Sequence, residues 1–298
     1  MSRMRTRVAT GAAVLGLVLV TAPAALATGN GQPGSHPAAS GSQGDRLKAV
    51  GLTPDGLRLV AFDTDRPERA RDLGGVRGLA GDTRLVGIDH RPATGELYGV
   101  GDEGGVYTLV DATATKVSQL STALAGTAFG VDFNPVVDRL RIVSNSGQNL
   151  RHNVDAQGGT VVDGTLSYPA VAPATTPTTA TGVTAAAYTN NDADAATATT
   201  LFDVDTALDQ VAIQSPANAG LLAATGKLGV DATGDAGFDI YSSVRKGSTV
   251  DLFPYVTLRV GNRYGLYEVS LLTGRVTAEG DFPKDRQVSD LAIVPAQR

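Results

Sequence analysis

Three features of this sequence predict an all-β fold. Side chains alternate in short runs, turn-forming residues separate the runs, and a unit of about four runs recurs every ~45–50 residues. Leu57, Leu59 and Ala61 alternate with Arg58, Val60 and Phe62. Val256, Leu258 and Val260 alternate with Tyr255, Thr257 and Arg259. A period of two is that of a strand, and the 3.6-residue period of a helix is scarce after Leu47. Gly, Pro, Asn and Asp cluster between the runs, at Pro92–Gly95, Asp102–Gly105, Asn145–Gly147, Gly261–Asn262 and Thr273–Gly274.

The repeats can be laid out in order. One unit is GIDHRP (87–92), GELYGV (95–100), VYTLVD (106–111) and KVSQL (116–120). A second is GVDFNP (130–135), DRLRIV (138–143), NLRHNVD (149–155) and GTVVDG (159–164). A later one is GFDIYS (237–242), VDLFPYVTLRV (250–260), YGLYEVS (264–270) and GRVTAEG (274–280). A degenerate copy, GVTAAAYTNN (182–191), TLFDVD (200–205) and QVAIQ (210–214), lies between them. The N-terminus supplies only later strands of a unit, LKAVGL (47–52), LRLVAFD (57–63) and RARDLG (69–74). The C-terminus supplies only a first strand, VSDLAIVP (288–295).

The two incomplete ends complement each other. The pattern therefore predicts a β-propeller-like fold of about five four-stranded blades, closed by pairing of the N- and C-terminal strands. Closure has a physical motive, because an open ring leaves strand edges unpaired. A β-sandwich or β-solenoid built from the same strands is the competing architecture. The segments GVDFNPVVDRLRIVSNSGQNLR, GVTAAAYTNN, TTLFDVDT and VSDLAIVP resemble the bacterial family of domain of unknown function 4394, over roughly Val50 to Val294. The resemblance implies a secreted, propeller-like repeat domain and transfers no catalytic residue.

The N-terminus predicts export. Arg3, Arg5 and Arg7 precede an apolar stretch from Val8 to Val20, then Pro23 and Ala25-Leu26-Ala27. Basic, apolar and small-residue regions in that order form a secretory signal cleaved after Ala27, and the apolar stretch is short for a membrane span. Residues 28–44 carry no aliphatic or aromatic side chain larger than Ala and are expected to be a disordered linker. Residues 45–298 then form one domain. Removing the first 27 residues takes three arginines with it and moves the net charge from −5 to −8. An acidic surface argues against nucleic acid or an anionic membrane as partner, and a monomer is expected. With no Cys in the chain, the fold depends on its core and not on disulfides.

Enzymatic motifs are sparse. Gly99-Val-Gly-Asp-Glu-Gly104 has dinucleotide-site spacing, but Val106–Val110 after it is a strand pattern where a helix is required. Gly220–Leu228 has five residues between its glycines and Leu where a P-loop needs Ser or Thr. With His90 and His152 alone in the domain and no Cys, a zinc site is poorly supported. Ser144 or Ser146 with His152 is the one nucleophile–base grouping available. Asp63, Asp111, Asp155 and Asp205 precede turns and read as turn caps. Asp192 with Asp194, and Asp203 with Asp205, resemble fragments of calcium loops without the remaining ligands.

Asp89, Asp132 and Asp239 differ from all of these. They hold one position in GID, GVD and GFD, on the expected innermost strands. Facing the channel, they would either bind calcium, which favours clustered oxygen ligands, or bond the backbone of the next blade. The sequence thus points to a secreted non-catalytic binding or scaffold protein with an unknown ligand or protein partner and no cofactor. The alternative is a calcium-dependent hydrolase or lactonase-type propeller enzyme. A lectin is disfavoured by the absence of Trp, although eight Tyr are present to stack on sugars.

Overall fold

In the computed structural model, which describes residues 46–155, 158–192, 194 and 196–295, the alternating runs form five four-stranded antiparallel blades arranged as a β-propeller. The expected signal (1–27) and linker (28–44) lie outside the described residues. The first blade carries β1 (Lys48–Leu52), β2 (Arg58–Asp63) and β3 (Arg71–Gly75). The second is β4 (Leu85–His90), β5 (Leu97–Gly101), β6 (Gly105–Val110) and β7 (Thr113–Gln119). The third is β8 (Phe129–Asn134), β9 (Arg139–Ser144), β10 (Asn149–His152) and β11 (Thr160–Val162). A two-stranded ribbon, β12 (Ser167–Tyr168) with β13 (Thr178–Thr179), precedes the fourth blade. That blade is β14 (Val183–Tyr188), β15 (Leu201–Asp205), β16 (Gln210–Gln214) and β17 (Leu222–Lys227). The fifth is β18 (Ala232–Arg245), β19 (Ser248–Val260), β20 (Arg263–Val269) and β21 (Val276–Asp281). The last strand, β22 (Asp290–Ile293), pairs antiparallel with β1, matching Ala49 to Ile293 and Leu52 to Asp290, as the innermost strand of the first blade.

Two segments fold differently from their sequence reading. Strand β17 occupies the stretch weighed as a phosphate loop, so the degenerate unit is a complete blade. The hairpin of β18 and β19 also outgrows its blade. β20 follows β19 only as far as Tyr255, whereas β18 and β19 stay paired from Ile240 with Pro254 out to Arg245 with Ser248. The excess is a two-stranded arm. Polar Ser242, Ser243 and Lys246 hide it from a pattern reading.

The core lies between blades. Both faces of a blade are covered by neighbours, so both parities of a strand are buried, and hydrophobic/polar alternation fades. On β9, Leu140 and Ile142 pack toward the second blade while Val143 packs toward the fourth. On β14, Ala185 and Ala187 face the fifth blade, and Ala186 and Tyr188 face the third. Small residues are required where inner strands crowd. A Cβ on Gly130 would sit 2.5 Å from the backbone nitrogen of Ala186, and one on Gly87 would sit 2.4 Å from Val131 Cγ2.

One interface is held by charge as well. Arg141, 1 % exposed, donates to Tyr188 Oη (3.1 Å), Asn149 Oδ1 (2.7 Å), Asp163 Oδ2 (2.6 Å) and Asn218 Oδ1 (2.8 Å). A buried guanidinium is tolerated because its donors are satisfied and Asp163 balances it.

Strand β22 contributes Leu291 and Ile293 to the core, with Val288 just before it, all nearly inaccessible. Burying three such side chains contributes roughly 5–9 kcal/mol, against about 5–15 kcal/mol for a whole domain. Deleting residues 288–298 is therefore expected to abolish cooperative thermal unfolding, whereas deleting 28–44 leaves the melting temperature unchanged. A C-terminal truncation that melts like the intact chain would contradict closure through β22.

Candidate functional site

Each inner strand presents one edge to the propeller axis, and backbone N–H groups on that edge have no strand to bond. Asp89, Asp132 and Asp239 stand on inner strands β4, β8 and β18 with relative exposures of 5 %, 2 % and 3 %. Asp89 Oδ2 accepts the N–H of Phe133 on the third blade (2.8 Å), and its Oδ1 accepts the N–H of His90 (2.7 Å). Asp132 Oδ1 accepts the N–H of Tyr188 on the fourth blade (3.2 Å). Asp239 Oδ2 accepts the N–H of Ile293 on the first (2.6 Å). The same side chains converge: one oxygen from each lies within 4.8 Å of the other two. The structure thus brings the three predicted aspartates together and ties each to the neighbouring blade.

A fourth aspartate completes the pattern and was not singled out in the sequence. Asp290 on β22 accepts the N–H of Ile88 through Oδ2 at 2.8 Å. It sits one pleat earlier than the other three, where GID, GVD and GFD have Gly, and Ala292 holds the position matching Asp89. That offset conceals it in VSDLAIVP. Among the described residues the fourth blade has no axial carboxylate, since Ala187 occupies the place of Asp. There Asn191 makes the link instead, donating its N–H to Ser242 Oγ (3.0 Å) and its Nδ2 to the Ile240 carbonyl (3.2 Å).

The electrostatics are one-sided. Burial, and then the charge of neighbouring carboxylates, holds Asp89 and Asp132 well above the usual carboxylate range. Burial pushes Asp239 up to about 6 and raises Asp290 well above its ordinary value. Among the described residues no Lys or Arg forms an ion pair with any of the four.

The two ends of the inner strands differ. Toward the C-terminal ends of the inner strands, a cavity of about 430 Å³ opens beside Asp89 and Asp239. Tyr241, Ser242 and Val244 of the arm wall one side, and Ile293 and Pro295 supply apolar surface. At the opposite ends of the inner strands, beside Asp290, lies a much smaller cavity of about 20 Å³. His90 lines the open cavity. Its Nδ1 lies 3.1 Å from the Gly95 carbonyl, which fixes the proton on Nδ1, and its Nε2 is a buried acceptor without a partner. Asn191 Oδ1, at the same cavity, is a second buried acceptor without a partner.

The other sequence candidates do not assemble a site. His152 Nε2 meets Ser118 Oγ (2.9 Å) and Nδ1 meets Thr160 Oγ1 (3.1 Å), while Ser144 Oγ donates to the Ala125 carbonyl (2.6 Å), so Ser144 and Ser146 form no triad with His152. Asp192 caps the loop after β14, accepting the N–H of Asp194 (3.0 Å) and the hydroxyl of Thr249 (3.0 Å). Asp203 and Asp205 are buried on β15, and Asp205 accepts from Tyr168 Oη (2.9 Å) and from two loop amides. Gly99–Gly104 is the β5–β6 hairpin.

A family model described as "Domain of unknown function (DUF4394)" matches residues 58–292. No curated protein matches the chain. Among solved structures, a Bacteroides thetaiotaomicron protein of unknown function is similar at 15 % identity and a TM-score of 0.44, covering 84 % of this chain and 68 % of its own. An auxiliary nutrient binding protein from the same organism aligns at 13 % identity and a TM-score of 0.44, over 77 % of this chain and 56 % of that one. TolB from Acinetobacter baumannii aligns at 15 % and 0.42, over 86 % and 68 %.

The raised carboxyls predict how stability varies with pH. An Asp side chain in the unfolded chain titrates near ~3.9, below its folded value here, so the folded state binds more protons. That contribution to stability is fully present below about pH 4 and is lost as pH rises through the folded value, about 6 for Asp239. Relative to Asp239→Asn, in which Oδ1 still accepts from Ile293, the wild type is expected to lose about 1–3 kcal/mol between pH 4.5 and 7.5 in amine-free, chelated buffer. Urea unfolding of both proteins across that range checks it, and a pH-independent difference would contradict it.

Proposed function

The chain belongs to the DUF4394 family, a domain of unknown function, and from the geometry of its axis we propose that it is a non-catalytic binding protein whose ligand occupies the 430 Å³ cavity. One observation carries this reading: a cavity of about 430 Å³ at one end of the inner strands is lined by the carboxyl-bearing Asp89 and Asp239 together with apolar Val244, Ile293 and Pro295. The volume falls within the ~300–1,000 Å³ common for small-molecule sites, and apolar walls with a few convergent polar groups are the usual lining. The arm supplies one wall, which gives the extra length of β18 and β19 a role that blade packing does not require.

Non-catalytic action is supported by the two domain histidines. Nδ1 of His90 is spent on a carbonyl, and His152 sits between two hydroxyls with no carboxylate behind it. In this reading the protein is exported through the signal at residues 1–27 and works outside the cytoplasm as a monomer, without nucleic acid or membrane as partner. The alternative, a calcium-dependent hydrolase or lactonase, is favoured by the convergence of Asp89, Asp132 and Asp239. For that enzyme the calcium would sit on those three carboxylates and polarise a substrate carbonyl.

The test is a thermal-shift screen of small metabolites on the mature protein and on Val244→Trp, which fills the cavity from the arm. A ligand that binds only the folded state raises the melting temperature. Ligands found in this way are expected to lose their shift in Val244→Trp, and lactone and ester substrates are expected to show no calcium-dependent turnover. Shifts unaffected by the Trp would place binding elsewhere, and calcium-dependent hydrolysis lost in Asp132→Asn would establish the enzyme.

A further inference from the structure

We propose that the loop joining β12 to β13 is an O-glycosylation site, with neutral hexose carried on the hydroxyls of Thr175, Thr176, Thr178 and Thr179. The proposal is independent of the axial cavity and would stand if that cavity bound nothing.

Composition and exposure together single this segment out. From Gly164 to Asn191 the chain has no Asp, Glu, Lys, Arg or His. Within that stretch every residue from Pro169 to Thr179, PAVAPATTPTT, is exposed, Val171 to 78 %. Dense Thr interleaved with Pro is the composition of O-glycosylated segments. The loop nevertheless stands on a fixed base. Ser167 pairs with Thr179, and Tyr168 with Thr178. Leu166 and Ala180, just outside those pairs, are buried, and Ala180 donates its N–H to the Leu166 carbonyl at 2.8 Å. Tyr168 Oη donates to Asp205 Oδ2 at 2.9 Å.

The four hydroxyls are also unoccupied. Elsewhere in the domain threonine hydroxyls are put to use: Thr53 donates to Asp55 Oδ1 (2.6 Å), Thr199 to the Thr189 carbonyl (2.6 Å) and Thr257 to the Ser289 carbonyl (2.9 Å). Among the described residues no hydrogen bond engages the side chain of Thr175, Thr176, Thr178 or Thr179. Pro173 and Pro177 keep the loop out of a helix, and Ala174 and Pro177 beside the threonines are small, so each Oγ1 stays open to an enzyme.

Two other uses of such a loop fit less well. Phosphate would add a charge of about −1.5 to −2 per threonine, in a segment with no Arg or Lys to meet it. A partner reading polyproline requires prolines on a three-residue turn, whereas these recur every fourth residue, at Pro169, Pro173 and Pro177. Hexose adds hydroxyls without charge. In the transfer, Thr Oγ1 gives its proton to a base of the transferase and attacks the anomeric carbon of a glycosyl phosphate donor. The bond from Oγ1 to that carbon forms, the bond from the carbon to the phosphate oxygen breaks, and the phosphate leaves with the electron pair.

Intact-mass spectrometry tests this on protein recovered from the medium of the bacterium that encodes it. The control is the same chain without residues 1–27, made in the cytoplasm of a host lacking protein O-glycosyltransferases. A series of masses spaced by one hexose is expected from the medium, and a single mass from the control. Electron-transfer fragmentation, which spares the bond between sugar and threonine, is expected to place the hexose on the four threonines. Replacing all four (Thr175→Ala, Thr176→Ala, Thr178→Ala and Thr179→Ala together) is expected to abolish the series, with a melting curve confirming that the variant folds. A single unmodified mass from the medium would overturn the proposal. So would phosphate in place of hexose, hexose confined to residues 28–44, or a series unchanged in the fourfold variant.

Discussion

A propeller's inner strands carry an unusual burden. Each is hydrogen-bonded to its blade along one edge, and its other edge faces the axis, where the adjacent inner strand does not pair with it. Buried backbone N–H groups must be satisfied, and here carboxylates satisfy them. Asp290 takes the amide of Ile88, Asp89 that of Phe133, Asp132 that of Tyr188 and Asp239 that of Ile293. In every case the acceptor lies one blade behind the donor. The chain of bonds runs round the ring from the first blade to the fourth, and from the fifth back to the first.

Several local features follow from this arrangement. For a short Asp side chain to reach the next strand, inner strands must come close, and Gly87 and Gly130 permit that approach because a Cβ at either would collide with the neighbouring blade. Where the fourth blade replaces Asp with Ala187, the link to the fifth passes to Asn191, at the rim and on to the arm. The cost is electrostatic. Three carboxylates aimed at one point resist ionising together, so the axis must hold protons or a cation, and each state has consequences for stability and for binding.

Much of this architecture was legible in the sequence. The repeated GID, GVD and GFD marked the inner strands and set three aspartates at one position of the repeat, and a repeat places equivalent residues at equivalent points around the ring. VSDLAIVP showed a first strand without followers, and the structure pairs it with β1. What escaped did so for identifiable reasons. Asp290 is displaced by one pleat, so alignment by repeat passes over it. Strand β17, LAATGK, has a single buried side chain and resembles a loop. The arm of β18 and β19 carries Ser, Arg, Lys and Gly where blade strands carry Val and Ile, and its purpose is to wall a cavity that no single run of sequence describes. His90 and Asn191 matter through unmatched acceptors, a property that depends on which neighbours consume their other atoms.

The central claim is that the axial aspartates are buried as hydrogen-bond acceptors without a protein cation to balance them. Carbon-13 NMR titration of the side-chain carboxyls, assigned through Asp→Asn variants, measures this directly. Asp89, Asp132 and Asp239 are expected to titrate above the usual carboxylate range, with Asp239 at about 6. Ordinary midpoints for all three axial groups would contradict it, showing that their charges are carried and balanced within the folded protein.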